Sequence, residues 1–99
     1  MSRQFVAGID EVSDEQKKLL RERFSREGSW WNWIPYFWLI TTNDDTTADV
    51  VRDRICKTAP GVNCMVVQID EGGWAGYGPT TKKRDMFRWV HNTWGKAGE

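Results

Sequence analysis

The chain has little of what marks the specialised protein classes. Only two cysteines, Cys56 and Cys64, stand among its 99 residues. Two separated thiols build neither a disulfide framework nor a cysteine-rich metal cluster. Both are expected as small core residues of a protein with reduced thiols. Prolines number three, too few for an extended proline-rich segment. The single histidine, His91, has no Ser or Cys beside it in sequence to form a catalytic dyad. No apolar run approaches the roughly 20 residues that cross a bilayer, so no membrane partner is expected. Met1-Ser2-Arg3-Gln4 runs straight into a strand-like segment, so no signal peptide is expected and the location is read as cytoplasmic. An excess of one charge is missing too: 14 Lys and Arg balance 14 Asp and Glu. Nucleic-acid binders draw much of their affinity from phosphate neutralisation. Neutrality argues against tight binding over the whole surface and leaves room for a local basic patch.

What is present is a globular composition, 39% hydrophobic and 28% charged, with seven tryptophans. The length fits one domain, residues 1–99. A chain this short has one modest core, and part of it must be indole.

Phe5, Ala7 and Ile9 alternate with other residues, as one face of a strand does. Asp10 closes that strand. Ser13-Asp14-Glu15-Gln16 has the spacing of a capping box. Leu19, Leu20 and Phe24 then recur at helical spacing, and Gly28 is the stop. The aromatic stretch from Ser29 to Thr42 is broken by Pro35. It predicts a hairpin, with one strand near Trp30–Trp33 and a second near Phe37–Thr41, the second covered on both faces. Alternation places Trp31 and Trp33 on one face, Trp30 and Asn32 on the other. Thr46-Thr47-Ala48-Asp49 caps a second helix carrying Ala48, Val51 and Ile55, which Pro60-Gly61 ends. Cys64–Ile69 is the fourth strand. A glycine-rich loop follows, and a third helix is predicted from about Thr81 to Trp94, with Met86, Val90 and Trp94 on one face.

The order β-α-β-β-α-β-α makes the chain an α+β protein. Two β-α-β units give a ferredoxin-like sandwich: a four-stranded antiparallel sheet, two helices on one face, and an extra C-terminal helix.

Three segments carry a family resemblance. Gly28-Ser29-Trp30-Trp31-Asn32-Trp33-Ile34 with Trp38-Leu39-Ile40 resembles an aromatic hairpin of the small bacterial proteins called SinR-like. Thr46–Arg54 resembles their second helix, and Gly73-Trp74-Ala75-Gly76-Tyr77-Gly78 their post-strand loop. The resemblance covers about residues 28 to 94. These proteins look like distant relatives of the CRISPR-associated protein two family, which is ferredoxin-like. In that family an aspartate ending the first strand faces its copy across a dimer axis, where the pair can hold a divalent metal. The resemblance puts Asp10 in that position and implies magnesium, if the protein is a nuclease.

Each candidate site has a plainer reading beside it. Asp10 is a metal ligand or a strand-end turn residue. Trp30, Trp31 and Trp33 are base-stacking rings or core. Trp74 and Tyr77, in the glycine-rich loop, are ligand contacts or rings folded back on the protein. Lys82-Lys83-Arg84, joined by Arg88, form the strongest positive patch, as a nucleic-acid or acidic-partner site or as a solvated helix start.

These observations favour a non-enzymatic binding domain without a cofactor, as a homodimer, with a nucleic-acid or defence-system context implied by the resemblance. The alternatives are a metal-dependent nuclease using Asp10 across a dimer, and a protein-binding inhibitor or adaptor of phage or mobile-element type.

Overall fold

Alternation decides which side of each strand is buried. In β1 (Arg3–Ile9), Phe5, Ala7 and Ile9 are buried and the residues between them are not. Register carries the same face across the sheet: Phe5 lies opposite Ile40 and Ala7 opposite Trp38, both on β3 (Phe37–Thr42). On the other side, Ala7 pairs with Val66 and Ile9 with Cys64 of β4 (Cys64–Ile69). β2 (Gly28–Ile34) closes the sheet against β3. All pairings are antiparallel, and the strand order is β2-β3-β1-β4.

This computed structural model describes residues 3–43, 45–70 and 74–94. The chain divides into two compact units, Met1–Ile69 and Asp70–Glu99. The first unit holds the sheet and two helices, so the α+β class and the antiparallel four-stranded sheet follow the sequence reading.

The helix α1 (Asp14–Glu27) starts with the expected capping box. The Ser13 hydroxyl accepts from the Gln16 N–H at 3.1 Å, and the Gln16 side chain accepts from the Ser13 N–H at 3.0 Å. A cap of this kind contributes about 1 kcal/mol. Leu20 and Phe24 point inward, and Val51 and Ile55 do so from α2 (Ala48–Thr58). These four side chains meet Phe5, Ala7, Ile9, Trp38 and Ile40 in one cluster, so both helices cover the same face of the sheet. Full burial of each large apolar side chain is worth about 1.5–3 kcal/mol. Arg23 and Arg54 both approach the Glu27 carboxylate, at 3.5 and 3.7 Å. The cap of α2 differs from expectation. Thr47 is the N-cap residue, yet its side chain bonds no backbone N–H. Its hydroxyl donates to the Asp49 carboxylate instead, which holds the Asp49 carboxyl below its usual range.

Every residue of β3 from Trp38 to Thr42 is buried, as its unbroken apolar run predicts. The tryptophan alternation on β2 is different. A register irregularity between Trp31 and Ile34 interrupts the pairing, so Trp31 is buried while Trp33 is exposed. The Asn32 amide bridges the irregular stretch, donating to the carbonyls of Ile34 and Phe37 at 3.1 and 3.0 Å. Pro35 and Tyr36 form the turn. Tyr36 has a φ of 71°, a region that glycine or asparagine usually occupies. Its carbonyl accepts from the Ile9 N–H at 3.0 Å, which ties the turn to β1.

In the second unit the predicted third helix is largely absent. Residues 81–87 are bends and turns, and helical structure begins only at residue 88, ending in a π-helical turn at Val90–Trp94. Local side chains explain the loss. The Thr81 hydroxyl accepts from the Arg84 N–H at 3.0 Å, and the Asp85 carboxylate accepts from the Phe87 N–H at 3.0 Å. Such bonds give the backbone an alternative to the helix. The three cations at 82–84 also oppose the positive end of a helix dipole. A bridge between Thr80 and Asp85 closes this stretch into a loop.

Candidate functional site

The second unit brings together residues that the sequence leaves scattered. Residues 74–78 of the glycine-rich segment lie against Met86, Phe87 and His91. A Cβ on Gly76 would stand 2.5 Å from the Phe87 ring, and one on Gly78 would stand 2.1 Å from the Met86 sulfur. A side chain at Gly76 would have to displace the Phe87 ring, whereas one at Gly78 would have to turn the Met86 side chain aside. Trp74 stacks on Phe87, with ring centres 5.4 Å apart and planes at 29°. His91 meets Trp74 edge-on at 5.0 Å. Trp74, Gly76, Tyr77, Gly78, Phe87 and His91 line a cleft of about 500 Å³, with Thr80 at its margin. That volume lies within the range of small-ligand sites. Tyr77 is 99% exposed.

Thr80 also opens the basic loop, so cleft and loop adjoin. Lys82, Lys83, Arg84 and Arg88 are all exposed. The loop's shape comes from its backbone. The Thr81 N–H donates to the Arg84 carbonyl at 3.1 Å, and the Met86 N–H to the Pro79 carbonyl at 2.9 Å. Arg88 reaches back to the Lys82 carbonyl at 3.5 Å. The expected patch therefore sits on a closed loop, not at a helix start. Sequence reading found Trp74, Tyr77 and the cations but missed Phe87 and His91 as their neighbours.

Trp30 belongs to the first unit and to the edge of its core. Its indole N–H donates to the Ser25 hydroxyl at 3.0 Å. Its ring leans on Trp38 at 6.0 Å, and the Arg21 guanidinium lies over it at 5.1 Å. Those contacts favour a packing role over base stacking.

Asp10 is engaged at both carboxylate oxygens. One accepts from the Glu11 N–H at 2.9 Å, the other from the Asn63 amide at 3.1 Å. The Asp10 N–H donates to the Asn63 carbonyl at 2.9 Å. This is the geometry of a strand-end turn that joins β1 to the start of β4. Among the described residues, no group of three or more His, Cys, Asp or Glu side chains is placed to hold a metal ion.

The core reading of the cysteines holds in part for one of them. Cys64 packs partly against the core, but Cys56 is exposed on α2. Among the described residues no helix is long and apolar enough to cross a membrane. No family model, no curated protein and no solved structure matches this chain.

Proposed function

We propose that this chain is a small binding domain whose contact site is the aromatic cleft of the second unit with the basic loop beside it, and that it takes single-stranded nucleic acid. One observation carries the reading: an exposed tyrosine and a tryptophan–phenylalanine–histidine ring cluster adjoin a loop bearing Lys82, Lys83 and Arg84. Single-strand binders combine these two elements, rings that stack on bases and cations that track the backbone. The neutral total charge fits a local contact better than a wide electrostatic footprint.

The test is anisotropy of a labelled oligothymidine at low salt. Binding is expected, weakening as salt rises. Tyr77→Ala is expected to cost about 1–3 kcal/mol, the worth of one stacked base. Lys82→Glu with Lys83→Glu is expected to flatten the salt dependence by about 0.7 per lysine removed. No binding at low salt overturns the proposal. Magnesium-dependent cleavage lost in Asp10→Asn replaces it with the nuclease reading.

The ferredoxin-like assignment is part of the same proposal. It is supported by the β-α-β-β-α-β chain order, by β1 and β3 at the centre of the sheet, and by two helices on one face. Kinship with the SinR-like group rests on the sequence segments that resemble it.

A second reading, a homodimer, is favoured by the hairpin tip. Trp33, Ile34, Tyr36 and Phe37 are exposed together there, and apolar patches of this kind mark protein contacts. A chain of zero net charge meets its own copy without long-range repulsion. Sedimentation is expected to give a dimer that Ile34→Glu with Tyr36→Glu converts to monomer. A wild-type monomer at high concentration ends this reading.

A further inference from the structure

We propose that the outer edge of β4 takes an extended segment of another protein as a fifth, antiparallel strand, a segment apolar at alternate positions and ending in a lysine or arginine. In an antiparallel sheet a strand turns the N–H and C=O groups of successive residues to opposite neighbours. The Ile9 N–H donates to the Tyr36 carbonyl at 3.0 Å, on the β3 side, and the Asp10 N–H donates to the Asn63 carbonyl at 2.9 Å, on the β4 side. The same alternation turns Gly8, Val6 and Gln4 toward β4, where they pair with Met65, Val67 and Ile69. Cys64, Val66 and Gln68 therefore turn their N–H and C=O groups to the far side of β4. That side is the edge of the sheet, and no strand among the described residues pairs with it. Edge strands are commonly protected by charge, proline or bulges. The run Cys64-Met65-Val66-Val67-Gln68-Ile69 is uncharged and free of proline, and its register with β1 is unbroken. Met65 and Val67 lie on the sheet face away from the helices, 72% and 45% exposed.

The occupant's chemistry is set at the start of β4. Gly8, Asp10, Tyr36, Asn63 and Met65 line a groove of about 510 Å³ there. A Cβ on Gly8 would meet nothing within 4 Å, so the groove is open above it. The Asp10 carboxylate is held in place by the Glu11 N–H and the Asn63 amide, and each of its oxygens keeps a second lone pair. Glu11 beside it is exposed. A lysine or arginine on the incoming residue opposite Asn63 lays its apolar stem along the groove and brings its charge to Asp10. The incoming residues opposite Met65 and Val67 are apolar and cover those two side chains. In strand addition of this kind, main-chain bonds give affinity and alternate side chains give specificity. A second copy of β4 is the poorer occupant, since its six residues include no cation to meet Asp10.

The probe is the peptide acetyl-Thr-Val-Thr-Val-Thr-Lys-amide, whose lysine falls opposite Asn63 when its first threonine lies opposite Gln68. Amide hydrogen exchange of the intact chain is followed by NMR. In the free protein the Val66 and Gln68 amides are expected to exchange fast, and those of Met65 and Val67 slowly. Saturating peptide is expected to slow Val66 and Gln68. A peptide with glutamate in place of the lysine is expected to bind about fivefold more weakly. Gln68→Pro is expected to weaken binding about tenfold. The variant is expected to fold, because the N–H it removes lies outside the β1 ladder and Gln68 is exposed. If it does not fold, the lysine and glutamate peptides decide alone. Unchanged exchange at Val66 and Gln68, equal binding of the two peptides, or changes confined to residues 74–94 overturn the proposal. So does slow exchange at those two amides in the free protein that is lost on dilution, which gives the edge to a second copy.

Discussion

Gly28→Ala is expected to destabilise the sheet unit by about 3 kcal/mol, at the upper end of the usual cost of forcing atoms into a packed site. The position leaves no room. An added Cβ would lie 2.0 Å from the Thr41 carbonyl oxygen, 2.7 Å from the Thr41 carbon and 2.9 Å from the Thr42 Cα. All three are backbone atoms of a strand hydrogen-bonded on both sides, so none can step aside cheaply. Gly28 also joins α1 directly to β2, being the C-cap of the helix and the first residue of the strand. Relief can come only by shifting the helix end or opening the β2–β3 pairing. For a domain of this size, 1 kcal/mol moves the melting midpoint by about 4–8 °C. A fall of at least ~12 °C, followed by circular dichroism, is the expected result. A midpoint within two or so degrees of wild type would show that the close approach of β2 to β3 is wrong.

Trp38→Ala is the second large effect. Trp38 is 1% exposed at the centre of the sheet. Phe24 meets its ring edge-on at 5.4 Å, and Trp30 leans on it at 6.0 Å. Removing a buried tryptophan to alanine costs about 3–5 kcal/mol, because transfer energy is lost and the cavity collapses only in part. Small domains have about 5–15 kcal/mol in total. The variant is therefore expected to populate unfolded chain at ambient temperature. Urea titration is the measurement, with the midpoint falling steeply at unchanged slope. Trp38→Phe keeps most of the apolar volume and is expected to lose less than half as much. Equal losses in the two variants would show that packing around the ring is not what holds the site.

What the sequence made legible is local. Ser13 and Gln16 sit three residues apart, and that spacing suffices to announce the start of α1. Phe5, Ala7 and Ile9 reveal their face through period two alone, and Cys64–Ile69 is bounded by turn residues on either side. The misreadings have a common origin in side chains that compete with the backbone. Thr81 and Asp85 take N–H groups that a third helix would have used, and periodicity at Met86, Val90 and Trp94 does not register that competition. Asn32 supports an irregular register on β2, so strict alternation misplaced Trp33. The candidate cleft was half legible. Its glycines and aromatic residues were plain, but the stacking of Trp74 on Phe87 joins residues far apart in the chain.

The loop at 80–85 keeps its shape through Thr81, Asp85 and main-chain groups, while Lys82 and Lys83 project from it. The scaffold therefore does not depend on what those two side chains are. Substitution there can alter charge and reach with the fold left intact, so a change of side chain at 82 or 83 reads out surface chemistry alone, uncoupled from the architecture beneath it.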